Sequence, residues 1–338
     1  DGTRFVGNVV NTRSGSSVLG SGSLVLRDKT SLMMDNTATA KLAYGTGAQV
    51  KFSGNATIRL TTLDVGIELG DESDATVPFV REGRGYLTIM GGNGGGSAGS
   101  DSGNDFRRRP ITLHGGTLAN ASCGILSAPV FGWVWGQTGD SWGHNRGSKD
   151  LRFLAYDPAT GLLDIAHSAT TNAIPANADE TTYAYVHNNA TMNLSADAHV
   201  GALTVYGGGH SSDQNAKRIG GLSIDAGVKL TVGGGADTVA PIIMDNLMYS
   251  TADYGPAILG CSGTLDFAAA EGLVGLNVTY SVEGRRLPAK ISCRVADMGG
   301  LTVFSPRTEM PVLGKDVNPG YDAQDSVRAL HLAGDNTY

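Results

Sequence analysis

All three tryptophans of the chain, Trp133, Trp135 and Trp142, fall in one stretch, FGWVWGQTGDSWGHNRGSKD. An indole offers a flat apolar face and a polar edge, the kind of surface on which a sugar ring stacks, so this stretch is a candidate glycan-binding platform; the competing reading is plain packing. A second group with chemical potential is GDESD, where Asp71, Glu72 and Asp74 bring carboxylates close enough to cradle Ca²⁺, against the alternative of a solvated acidic turn. Ser97 in GGSAG satisfies G-x-S-x-G, but a nucleophile elbow needs a strand before it and a helix after it, and both flanks here are Gly/Ser loop.

Glycoside chemistry needs two or three acids on adjacent elements, with a cation to stabilise developing charge. Asp64, Asp164, Asp225 and Asp266 instead stand singly beside strand residues, where an outward carboxylate serves solubility. The histidines are scattered without metal-ligand spacing, and Cys123, Cys261 and Cys293 lack the CxxC pairs or His partners of a zinc site. Buried small apolar side chains are the expectation for the cysteines. A bridge between Cys261 and Cys293 across neighbouring coils, with Cys123 left over, stays open. These residues predict no catalytic site, no metal and no cofactor, with a carbohydrate-active enzyme as the runner-up.

What must position them is set by composition. The 338 residues include 49 Gly against 11 Pro, with 17% charged and 7% aromatic residues, a small, turn-forming, aliphatic mixture that reads as all-β. A net charge of -7 lacks the positive footprint that phosphate binding requires, so nucleic acid is not an expected partner. No stretch reaches the eighteen or so apolar residues that span a bilayer, and no membrane insertion is expected of this segment.

One short phrase recurs along the chain: a Gly or Pro, apolar residues at every second position, then another Gly or Asx turn. It appears around Leu24 and Leu26, Leu87 and Ile89, Ile111 and Leu113, Leu203 and Val205, Leu222 and Ile224, Leu230 and Val232, Leu265 and Phe267, and Leu301, Val303 and Phe304. Period two means strand. Strands this short, divided by Gly-rich corners and carrying Leu, Ile and Val rather than bulky aromatics, predict a right-handed parallel β-helix. With roughly 20 to 25 residues per coil and about 4.8 Å between stacked strands, the chain predicts a single rod over 1–338 of about fourteen rungs. A Gly/Ser-rich loop at 91–110 and a Trp-containing excursion at 123–185 interrupt it.

At the end of the chain, LHLAGDNTY is similar to the L-x-L-x-G-x-N-T-Y-T-G-G-T signature of the autotransporter-associated β-strand repeat family, found in very long secreted and surface proteins of bacteria. ITLHGGTLAN and GVKLTVGGG resemble companion phrases, and FLAYDPATGL resembles a Tyr-Asp turn segment of large relatives. The resemblance implies an exported, extracellular or cell-surface passenger-like segment, and it carries over no catalytic residue.

That repeat normally continues past Thr-Tyr, which predicts either an excerpt of a longer polypeptide or a rod ending on an open rung. Unpaired end strands template association, and a contact that does not close makes a filament. Asp1, Gly2, Thr3, Asp335, Asn336, Thr337 and Tyr338 are therefore candidate self-association residues. The expected partners are copies of the chain end to end, neighbouring segments of a longer chain, or surface glycans. The functional expectation is a noncatalytic spacer, matrix element or head-to-tail filament subunit; the alternative is a glycan-binding adhesin or a carbohydrate-active β-helix enzyme.

Overall fold

The structure is a computed structural model, and it describes residues 9–13, 20–35, 38–60, 66–70, 79–91, 110–114, 130–137, 151–156, 161–166, 173–187, 191–207, 221–236, 238–246, 257–259, 262–278, 289–304 and 330–334. Among these residues every regular element is a strand, and most pairings are parallel. The chain divides into two compact units, Asp1–His167 and Ser168–Tyr338.

The first unit contains β1 (Val9–Arg13), β2 (Leu24–Leu26), β3 (Thr30–Asp35), β4 (Ala40–Leu42), β5 (Val50–Leu60), β6 (Ile67–Leu69), β7 (Phe79–Gly91), β8 (Ile111–Leu113), β9 (Val130–Gln137), β10 (Leu151–Tyr156) and β11 (Leu162–Ile165). One parallel ladder runs β1-β3-β5-β7-β9, with β2 lying on the first half of β5, and a second runs β4-β6-β8. Successive strands keep register, so Ala56, Leu87 and Val134 stand in one column, and all three are buried in the core. The ladders meet through an antiparallel meander in which β10 pairs with β9, β11 with β10, and β11 with β8. The meander thus covers one edge of each ladder, at β9 and at β8, and the sheet ends at β1 and β4.

The stretch expected as a single excursion from 123 to 185 is divided. Its first strand, β9, is the next member of the parallel ladder because Val134 completes an inward column, whereas β10 and β11 reverse direction to join the two ladders. The loop expected at 91–110 lies outside the described residues apart from its ends.

The second unit contains β12 (Tyr183–His187), β13 (Thr191–Leu194), β14 (Ala198–Val200), β15 (Ala202–Gly207), β16 (Gly221–Ile224), β17 (Lys229–Val232), β18 (Val239–Asn246), β19 (Ala257–Leu259), β20 (Thr264–Asp266), β21 (Glu271–Val278), β22 (Ala289–Ile291), β23 (Arg294–Ala296), β24 (Gly300–Phe304) and β25 (Leu330–Leu332). They form three sheets, β12-β15-β18-β21-β24, β13-β16-β19-β22-β25 and β14-β17-β20-β23, so each strand pairs with the one three places on. Ala184, Leu203, Ile242 and Val274 form one inward column, Leu222, Ile258 and Ile291 another, and Leu230, Leu265 and Val295 a third, all within one core cluster. Burying each such side chain stabilises the fold by roughly 1.5–3 kcal/mol.

Most steps between column partners are longer than the 20 to 25 residues expected: Leu203 to Ile242 is 39 positions and Val274 to Val303 is 29, whereas Ala184 to Leu203 is 19. Part of the reason is strand length, which reaches 13 residues in β7, and the rest is chain between the strands.

Corners are stitched by backbone hydrogen bonds between successive steps, as where Gly227 N–H donates to Ser262 O at 3.1 Å and Thr264 N–H to Val228 O at 2.9 Å. In the first unit the ladder shifts register between Ser53 and Asn55, and Gly54 supplies the positive φ of 60° for this bulge. A side chain there would also collide with Asp28, whose carboxylate accepts the Asn55 N–H at 2.9 Å. Other corners do without glycine. Ala268 and Ala269 hold φ values of 50° and 62°, the first tied down because its N–H donates to the Asp266 carboxylate at 2.7 Å. A left-handed alanine costs about 1–2 kcal/mol. Ala269→Gly is therefore expected to stabilise the second unit by about 1 kcal/mol in denaturant unfolding, and a loss of stability would show that the alanine methyl contributes more than its backbone strain costs.

The two ends of the second unit differ. At β12, β13 and β14, the first strands of their sheets, Ala184, Val186 and Val200 are fully buried while Met192 and Ala198 are only partly so, and Ile174 and Ala178, from the segment preceding β12, pack against the same cluster. At the opposite end, Leu301, Leu330 and Leu332 are only partly buried, and Val303, which continues the column of Val274, is 42% exposed.

Candidate functional site

Two of the three tryptophans lie on β9, on the face opposite to that of Val134 by strand alternation, yet they differ in what covers them. Trp135 stands beside Thr88 on β7 and Phe153 on β10 in the paired register. Its ring packs on that of Phe153 at 4.8 Å between centroids and 53° between planes, its Nε1 donates to Gly132 O at 3.0 Å, and it has no exposed surface. A ring with no open face cannot stack on a sugar, so Trp135 is a packing residue whose polar edge is satisfied. This corrects its candidacy as part of the platform.

Trp133 is half-buried against the core cluster of the first unit. The Arg81 guanidinium sits 5.5 Å from its ring centroid, and Arg81 is itself fixed because its Nε donates to Gly85 O at 2.6 Å. This cation–π contact holds the indole and occupies one of its faces. The Trp133 Nε1 is buried without a hydrogen-bond partner. Nearby on β7, burial first and the Asp28 carboxylate second hold the Tyr86 phenol protonated far above its ordinary range. Trp142 lies outside the described residues.

Polar side chains elsewhere tie successive strands together along their outer faces. Lys41 and Glu68 are register partners and form an ion pair at 3.3 Å, with His114 Nε2 3.5 Å from the same carboxylate. Asn193 donates to Asp225 at 3.1 Å, Lys229 pairs with Asp266 at 3.3 Å while its N–H donates to Asp197 at 2.8 Å, and Thr302 donates to Glu271 at 2.7 Å. Each exposed pair is worth at most about 1 kcal/mol. Asp179 caps the turn that leads into β12: the Thr181 hydroxyl, then its N–H, hold the exposed carboxyl below the usual aspartate range, with Thr182 and His199 adding to the effect. These acids are spent on neighbours of the opposite kind. Asp225 and Asp266, singled out in the sequence, are among them, and no group of three His, Cys, Asp or Glu gathers among the described residues. Asp71, Glu72 and Asp74 lie outside the described residues, as do Asp1, Gly2, Thr3, Asp335, Asn336, Thr337 and Tyr338.

Cys293 is unbridged and fully buried in the core of the second unit, and burial pushes its thiol up to about 12. Its expected partner Cys261 lies outside the described residues. Thiolate is the reactive form, so at pH 8 only about one molecule in 10⁴ presents it, before access is counted. Iodoacetamide is thus expected to leave Cys293 unmodified in the native chain and to label it in urea, read by peptide mapping. Rapid native labelling would place the thiol at the surface.

No protein-family model matches the chain, and neither does any curated protein or solved structure.

Proposed function

We propose that the chain is a noncatalytic structural protein, displayed outside the cell or on its surface as a spacer or matrix element, and built from β-helical coils. One observation carries this reading: in the second unit every strand pairs in parallel with the third strand after it, and the inward residue of each step stays in its column. A three-sided coil produces that pattern, since the chain returns to the same side once per turn. Cohesion then comes from repetition, and the outer faces are left with ion pairs and hydroxyl contacts between successive strands. The phrase LHLAGDNTY supports export and surface display by its likeness to the autotransporter-associated repeat.

Negative-stain micrographs of the purified chain test the proposal: elongated particles support it, and globular ones overturn it. A second reading is kept by Trp133, a partly exposed indole with a buried N–H that lacks a partner. Glycan-array binding that disappears in Trp133→Ala and survives in Trp135→Phe would make the protein an adhesin.

A further inference from the structure

Three successive steps of the first unit turn one corner together. Arg27, Asp28 and Lys29 join β2 to β3, the bulge of β5 at Ser53 to Asn55 lies on them, and Glu82 to Gly85 of β7 lie on the bulge. The packing is close. Asp28 accepts the Asn55 N–H at 2.9 Å, a Cβ on Gly85 would lie 2.7 Å from Ser53 Cα, and Arg27 pairs with Glu82 across the step between them. Trp133 continues the row, since it precedes Val134, the register partner of Leu87, as Tyr86 precedes Leu87.

The charges along this corner do not balance. Both acids are engaged, Asp28 by the Asn55 N–H and Glu82 by Arg27. Lys29 and Arg84 are exposed, and among the described residues no ion pair reaches either. The Arg81 guanidinium, 5.5 Å from the Trp133 ring centroid, adds a further positive charge. The surface between these cations is open, because a Cβ on Gly83 would meet nothing within 4 Å. On a chain of net charge -7, such a strip is where an anion is drawn.

We propose that this corner binds an acidic polysaccharide, with Lys29 and Arg84 anchoring its carboxylate or sulfate groups. From Lys29 to Trp133 is three steps of the stack, roughly 14 Å at the spacing of paired strands, so the ligand is linear and carries its charges singly. Nucleic acid bears a charge at every phosphate and calls for a wider basic footprint or a run of stacking aromatics, whereas this strip has one indole. The choice of a polysaccharide rests on the surface-display reading above, since acidic polysaccharides are the linear polyanions that coat cells.

The test is isothermal titration of the full chain with polygalacturonate and with dextran sulfate, neutral dextran and an oligothymidylate serving as comparisons. At least one acidic polymer is expected to bind, more weakly as salt rises, and neutral dextran is not. Lys29→Glu combined with Arg84→Glu is expected to weaken binding about tenfold or more with the same far-UV circular dichroism, and glutamine at both positions to give a smaller loss. Lys290→Glu, a like change at an exposed lysine of the second unit, is expected to leave binding unchanged. A chain that binds neither acidic polymer, or whose double variants bind as tightly as the native chain, overturns the site. Tighter binding of the oligothymidylate also overturns it, by making nucleic acid the ligand. These failures leave the elongated particle expected in micrographs untouched, whereas globular particles overturn the rod and not the strip.

Discussion

Ile242→Ala is expected to destabilise the Ser168–Tyr338 unit by about 2–5 kcal/mol, while Val303→Ala, in the same column, shifts stability by no more than about 0.5 kcal/mol. Both residues point the same way from strands of one sheet, β18 and β24 with β21 between them, and only their position along the stack differs. Ile242 has a column neighbour above and below, Leu203 and Val274, and no exposed surface. Truncating it leaves a cavity that packed neighbours on both sides cannot fill. Among the described residues Val303 has a column neighbour on one side, Val274, and it is 42% exposed, so its truncation removes little that was buried. Urea unfolding followed by far-UV circular dichroism measures both. Equal losses would mean that columns do not carry the cohesion of the unit.

Gly263→Ala is the second large effect. This glycine sits at the corner before β20, where an added Cβ would lie 2.6 Å from both the carbonyl oxygen and the Cγ2 of Ile224. The corner cannot retreat, because Gly263 O accepts the Arg294 N–H at 3.0 Å and the next residue, Thr264, donates to Val228 O at 2.9 Å. Relief of the clash would break one of these links between steps. A cost of about 1–3 kcal/mol follows, or a fall of roughly 2–10 °C in the melting temperature of a unit this size. An unchanged melting temperature would show that the steps at this corner are not in contact.

Much of the interior was legible because it depends on local alternation. Leu87 and Ile89, Leu203 and Val205, Leu222 and Ile224, and Leu230 and Val232 all occupy strands and are buried, as period two requires. Three features were not. Gly54 in β5, Pro241 in β18 and Gly275 in β21 interrupt the local signal, yet the strands continue because neighbouring strands on both sides pair with them, across a bulge in the case of Gly54. Corners carry left-handed alanines as well as glycines, since bonds such as Asp266 to the Ala268 N–H over-determine the backbone. The number of residues per step was misjudged for a related reason: the strand phrases show where the chain passes through a sheet, and nothing local records how far it travels before returning.

The candidate site divides along the same line. Trp133 and Trp135 are two residues apart and share a face, so alternation treats them alike. Their difference comes from Phe153 on an antiparallel strand and from Arg81 on a parallel one, contacts that only the folded chain reveals.

One column of the Ser168–Tyr338 unit keeps register over successive intervals of 19, 39, 32 and 29 positions, from Ala184 through Leu203, Ile242 and Val274 to Val303. The periphery therefore tolerates additions that the interior never senses, since doubling the length of a connecting segment costs only about 0.6 kcal/mol in closure entropy. Foreign peptides grafted between strands should be carried outward intact, which makes the architecture a natural display scaffold whose exterior is free to diversify while its cross-section stays fixed.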